Sequence, residues 1–281
     1  MSHSKSDEDV ATGRTNMDSR SSAASEVVVL KPGQMSLNAT LNDSFRYNPA
    51  PAAPVSPGYQ TQTNDLAYEV IHLKEGEVLF REGETPKGVY FVQTGCIKMV
   101  VNRNLQRGRT TSPEYVTKLV PPGEFFGYKA LVKGTVSASM AKAIRPTVVW
   151  LYPRHIVSQA IESASPLLKL VIQQAVSDIE SYETTGQLHY LASVQERIAY
   201  QLVLLADKFG VQTDQGVSLN LKLTRNEFAQ LASTINESLS RHLTEFKNEG
   251  LIDLNGKEII IKDKRGLMLK SGNFHANASL A

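Results

Sequence analysis

Cysteine is nearly absent from this sequence of 281 residues, in which Cys96 is the single example. One thiol excludes a disulfide framework within the chain and any metal cluster that several cysteines would hold. Long apolar runs are missing too, because no stretch approaches the roughly 20 residues that a membrane span needs and no signal-peptide core opens the chain. We therefore expect a cytoplasmic protein that has no membrane partner.

Catalytic and metal-binding motifs are also missing. The sequence contains no recognisable nucleophile paired with a base, no paired-carboxylate motif and no Walker-type phosphate loop. Its six histidines are scattered, and none stands at metal-ligand spacing from another. The numbers of basic and acidic residues, 30 and 28, nearly balance, so the net charge does not indicate a polyanionic partner. The sequence therefore predicts neither an enzyme nor a metal site, and it names no certain cofactor.

The length predicts about two domains, and changes in composition divide the chain further. Residues 1–65 are rich in Ser, Thr, Asn, Ala and Pro. Such a segment cannot bury enough apolar surface to offset its ordering entropy, so we predict a disordered N-terminal tail. The β-prone run from Val27 to Leu30 is an exception. It predicts either a strand paired with a sheet edge or a transient local strand, and the surrounding composition favours the second.

Residues 66–160 carry turn signals every seven to twelve residues, as at Thr94-Gly95 and Pro122-Gly123. Short β-branched and aromatic runs lie between them, which predicts an antiparallel sandwich or barrel. Over residues 161–191 the spacing becomes helical after Pro166, in alternating steps of four and three that form a heptad seam. The seam consists of Leu168, Ile172, Ala175, Ile179, Tyr182, Gly186 and His189. It predicts pairing with a second copy, and a helix packed on its own domain is the alternative.

Residues 192–270 have the pattern of a winged helix-turn-helix, followed by a tail over residues 271–281. Thr224 and Glu227 fit a capping box at the start of one helix, and a second helix is predicted from about Ile235 to Glu249. Asn255-Gly256 between two strand-like runs is a strong hairpin signal. Two helices across a tight turn, followed by a hairpin, form a DNA-binding arrangement.

The second of these helices has a polar face near its start. Glu237, Ser240 and Arg241 share that face, next to Asn236. In a major groove Arg241 would bond guanine O6 and N7, and Glu237 would accept from a cytosine amino group. Two plainer interpretations stay open, because Thr234 and Glu237 also fit a capping box and Arg241 also fits a solvated surface charge.

Together these features resemble the CRP/FNR superfamily (catabolite activator and fumarate–nitrate reduction regulators) over residues 66–270. The segments that carry the resemblance are Pro122-Gly123-Glu124-Phe125-Phe126-Gly127, Ser193 to Leu205 with its Glu196-Arg197 pair, and Leu223 to Ile252. The resemblance implies an α+β fold, with an antiparallel β-roll (jelly-roll-like) sensor domain, a long dimerisation helix and a winged helix-turn-helix domain behind the disordered tail.

The resemblance also assigns roles at the C-terminal end. It places Glu237, Ser240 and Arg241 at the base-reading positions, and their Glu-x-x-Ser-Arg pattern is similar to the fumarate–nitrate branch, which prefers half-sites of the TTGA type. Asn236 stands where the catabolite activator branch has Arg, so that branch's extra guanine contact is not expected. Thr224 and Arg225 match positions that hold the DNA backbone. The implied partners are a near-palindromic double-stranded site, a second copy and RNA polymerase.

An effector pocket is implied as well, formed here by Gly127, Tyr128, Lys129, Ser137 and Ala138. The family's cyclic-nucleotide binders have Glu-Leu at Tyr128-Lys129 and Arg-Ser at Val136-Ser137. Losing the Glu and the Arg removes a ribose acceptor and a phosphate contact, so we do not expect cAMP to bind in the family's known way. Lys129 replaces the phosphate contact only if its side chain turns inward. The candidate effector is a cyclic mono- or dinucleotide.

The resulting prediction is a homodimeric, sequence-specific transcription regulator that a small-molecule effector gates. Two alternatives stay open: a constitutive DNA-binding dimer with a vestigial pocket, and a ligand- or protein-interaction module that reads no specific sequence. The family's iron–sulfur branch needs four cysteines, which this chain does not have. Cys96 is interpreted as a buried structural thiol, with a redox switch as the minority alternative.

Overall fold

The computed structural model describes residues 27–30, 66–102, 114–219, 221–256 and 258–275. Most of the predicted tail over residues 1–65 and most of residues 271–281 lie outside these ranges. The strands are β1 (Val27–Leu30), β2 (Tyr68–Leu73), β3 (Val78–Phe80), β4 (Gly88–Thr94), β5 (Ile97–Asn102), β6 (Glu114–Val120), β7 (Phe125–Phe126), β8 (Met140–Ala143), β9 (Thr147–Pro153), β10 (Gly210–Thr213), β11 (Gly216–Leu219), β12 (Ile252–Asn255) and β13 (Glu258–Ile261). The helices are α1 (Tyr128–Lys133), α2 (Arg154–Glu162), α3 (Pro166–Leu191), α4 (Val194–Phe209), α5 (Arg225–Leu231), α6 (Asn236–Asn248) and α7 (Lys264–Lys270), and a short 3-10 turn spans Gly272–His275.

The first nine strands form two antiparallel sheets, with strand orders β1-β2-β9-β4-β7 and β3-β8-β5-β6. Between the sheets the side chains of Tyr90, Val92, Ile97 and Val149 form one buried apolar cluster. We call strands β2 to β9 the β-roll, and their antiparallel architecture confirms the predicted α+β fold. Strand β1 pairs with β2, so of the two interpretations of this run, pairing with a sheet edge is the one observed.

Helices α2 and α3 cover the outer face of the five-stranded sheet. Val89 and Phe125 of the sheet lie in one buried cluster with Ile156 of α2 and Leu167 of α3. Proline at the first helical position suits the start of α3, where its missing N–H has no intrahelical partner to lose. The 26-residue helix confirms the helical period predicted after Pro166.

The C-terminal domain, from α4 to the 3-10 turn, is a winged helix-turn-helix, as predicted. Helices α5 and α6 follow each other across a short turn, and β12 and β13 form the hairpin wing. The wing belongs to a four-stranded sheet in the order β10-β11-β13-β12. The hairpin of β10 and β11 and the helix α7 were not predicted.

The C-terminal domain is docked on the β-roll through a continuous interface. Cys96 and Leu119 of the roll belong to the same buried apolar cluster as Phe228 of α5. The Gln230 side chain continues the contact along β6, because its Oε1 accepts from Val116 N at 2.8 Å and its Nε2 donates to the Glu114 carbonyl at 3.2 Å. The first helix of the helix-turn-helix is therefore fixed to the roll.

Gly123 and Gly127, which lie on either side of β7, provide a matched test of the packing. Gly123 and Gly127 both have positive φ, 89° and 83°. A Cβ at Gly127 would lie 2.8 Å from Cδ2 of the buried Tyr90, whereas one at Gly123 would meet no atom within 4 Å.

We expect Gly123→Ala to lower the free energy of unfolding by about 1 kcal/mol, because of backbone strain alone. Gly127→Ala adds an overpacking cost of about 1–3 kcal/mol. Urea unfolding of both variants measures the difference. Equal losses would contradict the packing of Gly127 against Tyr90.

Candidate nucleic-acid interface and effector cavity

Helix α6 separates an apolar face from a polar one. Leu239, Leu243 and Phe246 are buried in the C-terminal domain. On the opposite side lie four exposed polar residues, which we call the reading row: Asn236, Glu237, Ser240 and Arg241. The Arg241 side chain is 66% exposed, and its Nε lies 3.9 Å from a Glu245 oxygen, a weak surface pair that leaves the guanidinium able to reach a ligand.

The start of α6 tests the alternative in which Glu237 is part of a helix-capping box. The N-cap residue is Ile235, and no side chain caps the helix. The alternative capping box of Thr234 and Glu237 is therefore not formed. Glu237 is exposed, and in the described part of the chain its carboxylate has no hydrogen bond or ion pair, so it is available to a ligand.

Helix α5 begins with the capping box that the sequence predicts. Thr224 Oγ1 accepts from Glu227 N at 3.2 Å, and Glu227 Oε2 accepts from Thr224 N at 2.8 Å. The Arg225 guanidinium lies beside the wing, with Nη2 3.5 Å from the Gly256 carbonyl. Thr224 and Arg225 thus lie at the beginning of α5 and close to the hairpin turn.

A cavity of about 300 Å³ lies between the β3-β8-β5-β6 sheet of the roll, α1 and α3. Its lining includes all five residues of the predicted effector pocket, Gly127, Tyr128, Lys129, Ser137 and Ala138. Thr117 and Lys118 of β6 and Asp178 and Tyr182 of α3 also line the cavity. These four were not predicted.

Asp178 is a buried carboxylate on α3 that joins the cavity wall to the helix. Tyr128 donates its hydroxyl to Oδ2 at 2.7 Å, while Lys118 Nζ lies 2.5 Å and Gln174 Nε2 lies 3.1 Å from Oδ1. Burial acts to raise the pKa of Asp178, but the charge of Lys118 and the donated hydrogen bonds outweigh it and hold the pKa below its usual value. Asp178 therefore stays ionised inside the wall.

The same network reaches the C-terminal domain. Lys118 forms a second ion pair with Glu124 at 3.2 Å, and Lys208 of α4 donates to the other Glu124 oxygen at 2.7 Å. We call this sequence of contacts the polar chain: Tyr128, Asp178, Lys118, Glu124 and Lys208. It joins the cavity, α3 and α4 by charge-assisted hydrogen bonds and ion pairs.

Lys129 and Val136 occupy positions where the chain departs from the family's nucleotide cassette. Lys129 Nζ donates to the Tyr182 hydroxyl at 2.9 Å and lies 3.6 Å from Asp178, while 52% of its side chain is exposed. Val136 is 53% exposed, while the hydroxyl of Ser137 donates to the Ser139 carbonyl at 2.8 Å. Among these residues Lys129 carries the positive charge that a phosphate needs.

Cys96 is fully buried in the interface between the roll and the C-terminal domain. Burial raises the pKa of its thiol to about 12, so the reactive thiolate is not populated at neutral pH. Within the described ranges no group of three or more His, Cys, Asp or Glu side chains is placed to hold a metal ion. The helices in that part of the chain are too short or too polar to cross a bilayer.

Two family models match the two halves of this architecture. The Cyclic nucleotide-binding domain matches residues 70–164, and the Crp-like helix-turn-helix domain matches residues 196–269. A cavity-bearing β-roll joined to a winged helix-turn-helix defines the class of two-domain transcription regulators. The two models together occupy more than half of the sequence, and the chain belongs to the CRP/FNR family.

Individual relatives agree with this assignment. Electron transport regulator A from Shewanella oneidensis is 24% identical over 212 residues, which cover 75% of this chain and 82% of that protein. Transcriptional activator protein anr from Pseudomonas aeruginosa is 28% identical over 200 residues, 71% of this chain and 79% of that one. The structure of FixK2 from Bradyrhizobium japonicum has a TM-score of 0.62 at 18% identity and covers 73% of this chain and 98% of its own. This last likeness shows the shared fold.

Replacing Asp178 tests the polar chain. Because the pKa of Asp178 is lowered on folding, its stabilisation is present above the unfolded value of 3.8 and is lost as the pH falls through the lower folded value. At pH 7 we expect Asp178→Asn to lose about 3 kcal/mol of unfolding free energy, since Lys118 loses a buried partner. The difference from the unmodified protein shrinks below pH 3.8.

Urea unfolding at a series of pH values measures this difference. Asp214→Asn is the control, because Asp214 is exposed in the turn between β10 and β11 and its loss leaves the polar chain intact. A difference that stays constant between pH 7 and the acid limit would show that the ionised carboxylate is not what stabilises the wall.

Proposed function

We propose that the protein is a homodimeric, sequence-specific DNA-binding regulator whose affinity for its operator depends on a small-molecule effector. The observation that carries the proposal is the exposed reading row on α6, within a helix-turn-helix whose wing is formed. Arg241 bonds a guanine through O6 and N7, Glu237 accepts from a cytosine amino group, and Asn236 and Ser240 complete the base contacts. Thr224 and Arg225 hold the DNA backbone.

The proposed homodimer uses the exposed face of α3. Ile172, Val176, Ile179 and Tyr182 lie on this helix with about half of each side chain exposed. Ile172, Ile179 and Tyr182 belong to the heptad seam, and Val176 lies beside it, one position after Ala175. Pairing with a second copy of α3 buries these four side chains. A two-fold dimer places its two α6 helices in successive major grooves, about 34–36 Å apart, and therefore demands a near-palindromic site.

The effector binds in the cavity and acts through the polar chain. Lys129 supports a phosphate-bearing ligand, because it is a cation among the residues that line the cavity. Tyr128 stands where the family's ribose acceptor would be, and its hydroxyl is donated to Asp178. We therefore propose a cyclic mono- or dinucleotide held differently from cAMP in its known mode. A ligand that binds more tightly to one conformation of α3 shifts the equilibrium towards that conformation.

The remaining parts of the proposal rest on the family assignment. The Glu-x-x-Ser-Arg pattern supports half-sites of the TTGA type, and regulators of this family act on RNA polymerase in the cytoplasm. The chain carries no catalytic role in this proposal.

The first test is fluorescence anisotropy on a labelled TTGA-N6-TCAA duplex at fixed salt, against a scrambled duplex. We expect Arg241→Ala to lose about 1–3 kcal/mol of binding free energy on the palindrome and to relax discrimination at one base pair. Arg265→Ala is the matched control, since Arg265 is an exposed arginine on α7 of the same domain. If both variants lose the same affinity for both duplexes, Arg241 contacts only the phosphate backbone.

The effector arm of the same experiment separates the alternatives. Saturating cyclic mono- and dinucleotides are added to the protein on both duplexes. Tightening on the palindrome alone supports gating, and operator DNA must then tighten effector binding by the same factor. Specific binding that no ligand changes favours a constitutive dimer. Equal binding to both duplexes would overturn the TTGA assignment and favour an interaction module.

The dimer is tested on α3. Ile179→Glu places a charge in the apolar stripe, and we expect it to convert a dimer into a monomer in sedimentation equilibrium, because a buried unpaired carboxylate costs several kcal/mol. Ser177→Glu adds the same charge at an exposed position on another side of the helix, and it leaves the dimer intact. A monomeric unmodified protein, or equal behaviour of the two variants, would rule out this seam.

A further inference from the structure

Helix α6 begins differently from the other helices of the C-terminal domain. Ser193 caps α4, Thr224 caps α5 and Asp263 caps α7, each with a side-chain oxygen that accepts a backbone N–H. At α6 the N-cap is Ile235, which offers no acceptor. Ser, Thr, Asp and Asn are preferred at this position because they satisfy an otherwise unpaired donor. The helix that carries the reading row therefore lacks a stabilising feature that its neighbours have.

Ile235 is also exposed, at 63% of its side chain. The helix gains nothing from burying this residue in the domain, so neither capping nor core packing accounts for an isoleucine there. A position that breaks two local rules without a gain in stability points to a functional contact. The contact must be with an apolar group, since the side chain has no polar atom.

The place of Ile235 in the fold identifies that group. It directly precedes Asn236 and Glu237 of the reading row, and the N-terminal residues of a recognition helix are those that contact base edges. The apolar group that a base presents in the major groove is the 5-methyl of thymine. We propose that Ile235 is a specificity-determining residue that reads one thymine in each half-site through this methyl group.

This inference rests on the proposed DNA reading by α6, and its test keeps the two separable. A preferred duplex is first selected by the full-length protein from a randomised pool, so that the result does not depend on the TTGA assignment. Each thymine of that duplex is then replaced by deoxyuridine, one symmetric pair at a time, which removes only the methyl group.

With the unmodified protein we expect one thymine position whose replacement weakens binding about four-fold per half-site, the effect of one buried methyl group. Ile235→Ser weakens binding to the thymine duplex by a similar factor or more and makes it indifferent to deoxyuridine at that position, because the two changes remove the same contact. Ile235→Val keeps the sensitivity. Leu269→Ser, at an exposed apolar residue of α7, changes nothing on DNA.

Thermal unfolding gives an independent result. Because serine supplies the missing cap, Ile235→Ser raises the midpoint by about 2–4 °C while it weakens DNA binding. If Ile235 instead stabilised the domain, its replacement by serine would lower both the unfolding midpoint and the affinity for DNA.

Several outcomes overturn the inference. These are equal deoxyuridine sensitivity in the unmodified protein and Ile235→Ser, a uniform loss on all duplexes, or a changed oligomeric state that shows Ile235 to be covered by protein. If selection yields a preferred duplex and Arg241→Ala loses discrimination on it, only the role of Ile235 fails. If no preferred duplex emerges, the DNA-reading proposal fails with it.

Discussion

The ion pair and hydrogen bonds of the buried Asp178 carboxylate are the interactions on which the position of α3 against the roll depends. An ionised group inside a protein is tolerated only when it is paired and hydrogen-bonded, and here the partners come from three elements. Tyr128 belongs to α1 beside the cavity, Lys118 to β6, and Gln174 to α3 itself. The requirement to satisfy one charge thus fixes the long helix against the roll at the cavity wall.

The interface between the roll and the C-terminal domain extends this constraint. Helix α5 is held to β6 by apolar contacts and by the Gln230 side chain, while α6 turns its reading row outwards. Glu124 and Lys208 connect the cavity wall to α4 of the C-terminal domain. Packed interfaces of this kind switch between discrete conformations and do not deform gradually. A gated regulator requires such switching.

The sequence was informative where the pattern is local and periodic. The turn-bounded strands, the helix after Pro166 and the Asn255-Gly256 hairpin follow from spacing within a few residues, and the structure contains all three. The hairpin of β10 and β11 was missed because its four-residue strands depend on pairing with β13, a partner distant in sequence. Helix α7 contains Gly266, a poor helix former, and forms because Asp263 caps it and Leu267 is buried.

The residues of the candidate site also differ in whether a local pattern predicts them. The reading row and the five pocket residues follow from motifs, whereas Asp178 is found only in the folded chain, since its partners Lys118 and Tyr128 lie 60 and 50 residues away. No periodic signal marks a pair at such a separation. Asp178 is one of three carboxylates on α3, with Glu180 and Glu183, so the pattern of the helix neither singles it out nor indicates its partner.

Glu227 has two tasks, and this has a consequence for how the regulator can diverge during evolution. Its carboxylate caps α5 through Thr224 N and accepts from Lys98 of the roll at 2.5 Å. A replacement at Glu227 therefore loosens the domain contact and the helix start together, and selection for either task opposes it. Lys98 takes no part in the cap and has a second ion pair with Glu114 of β6 at 3.6 Å, so its replacement leaves the cap intact. Variants with altered coupling between the two halves should therefore accumulate at Lys98, while Glu227 resists change.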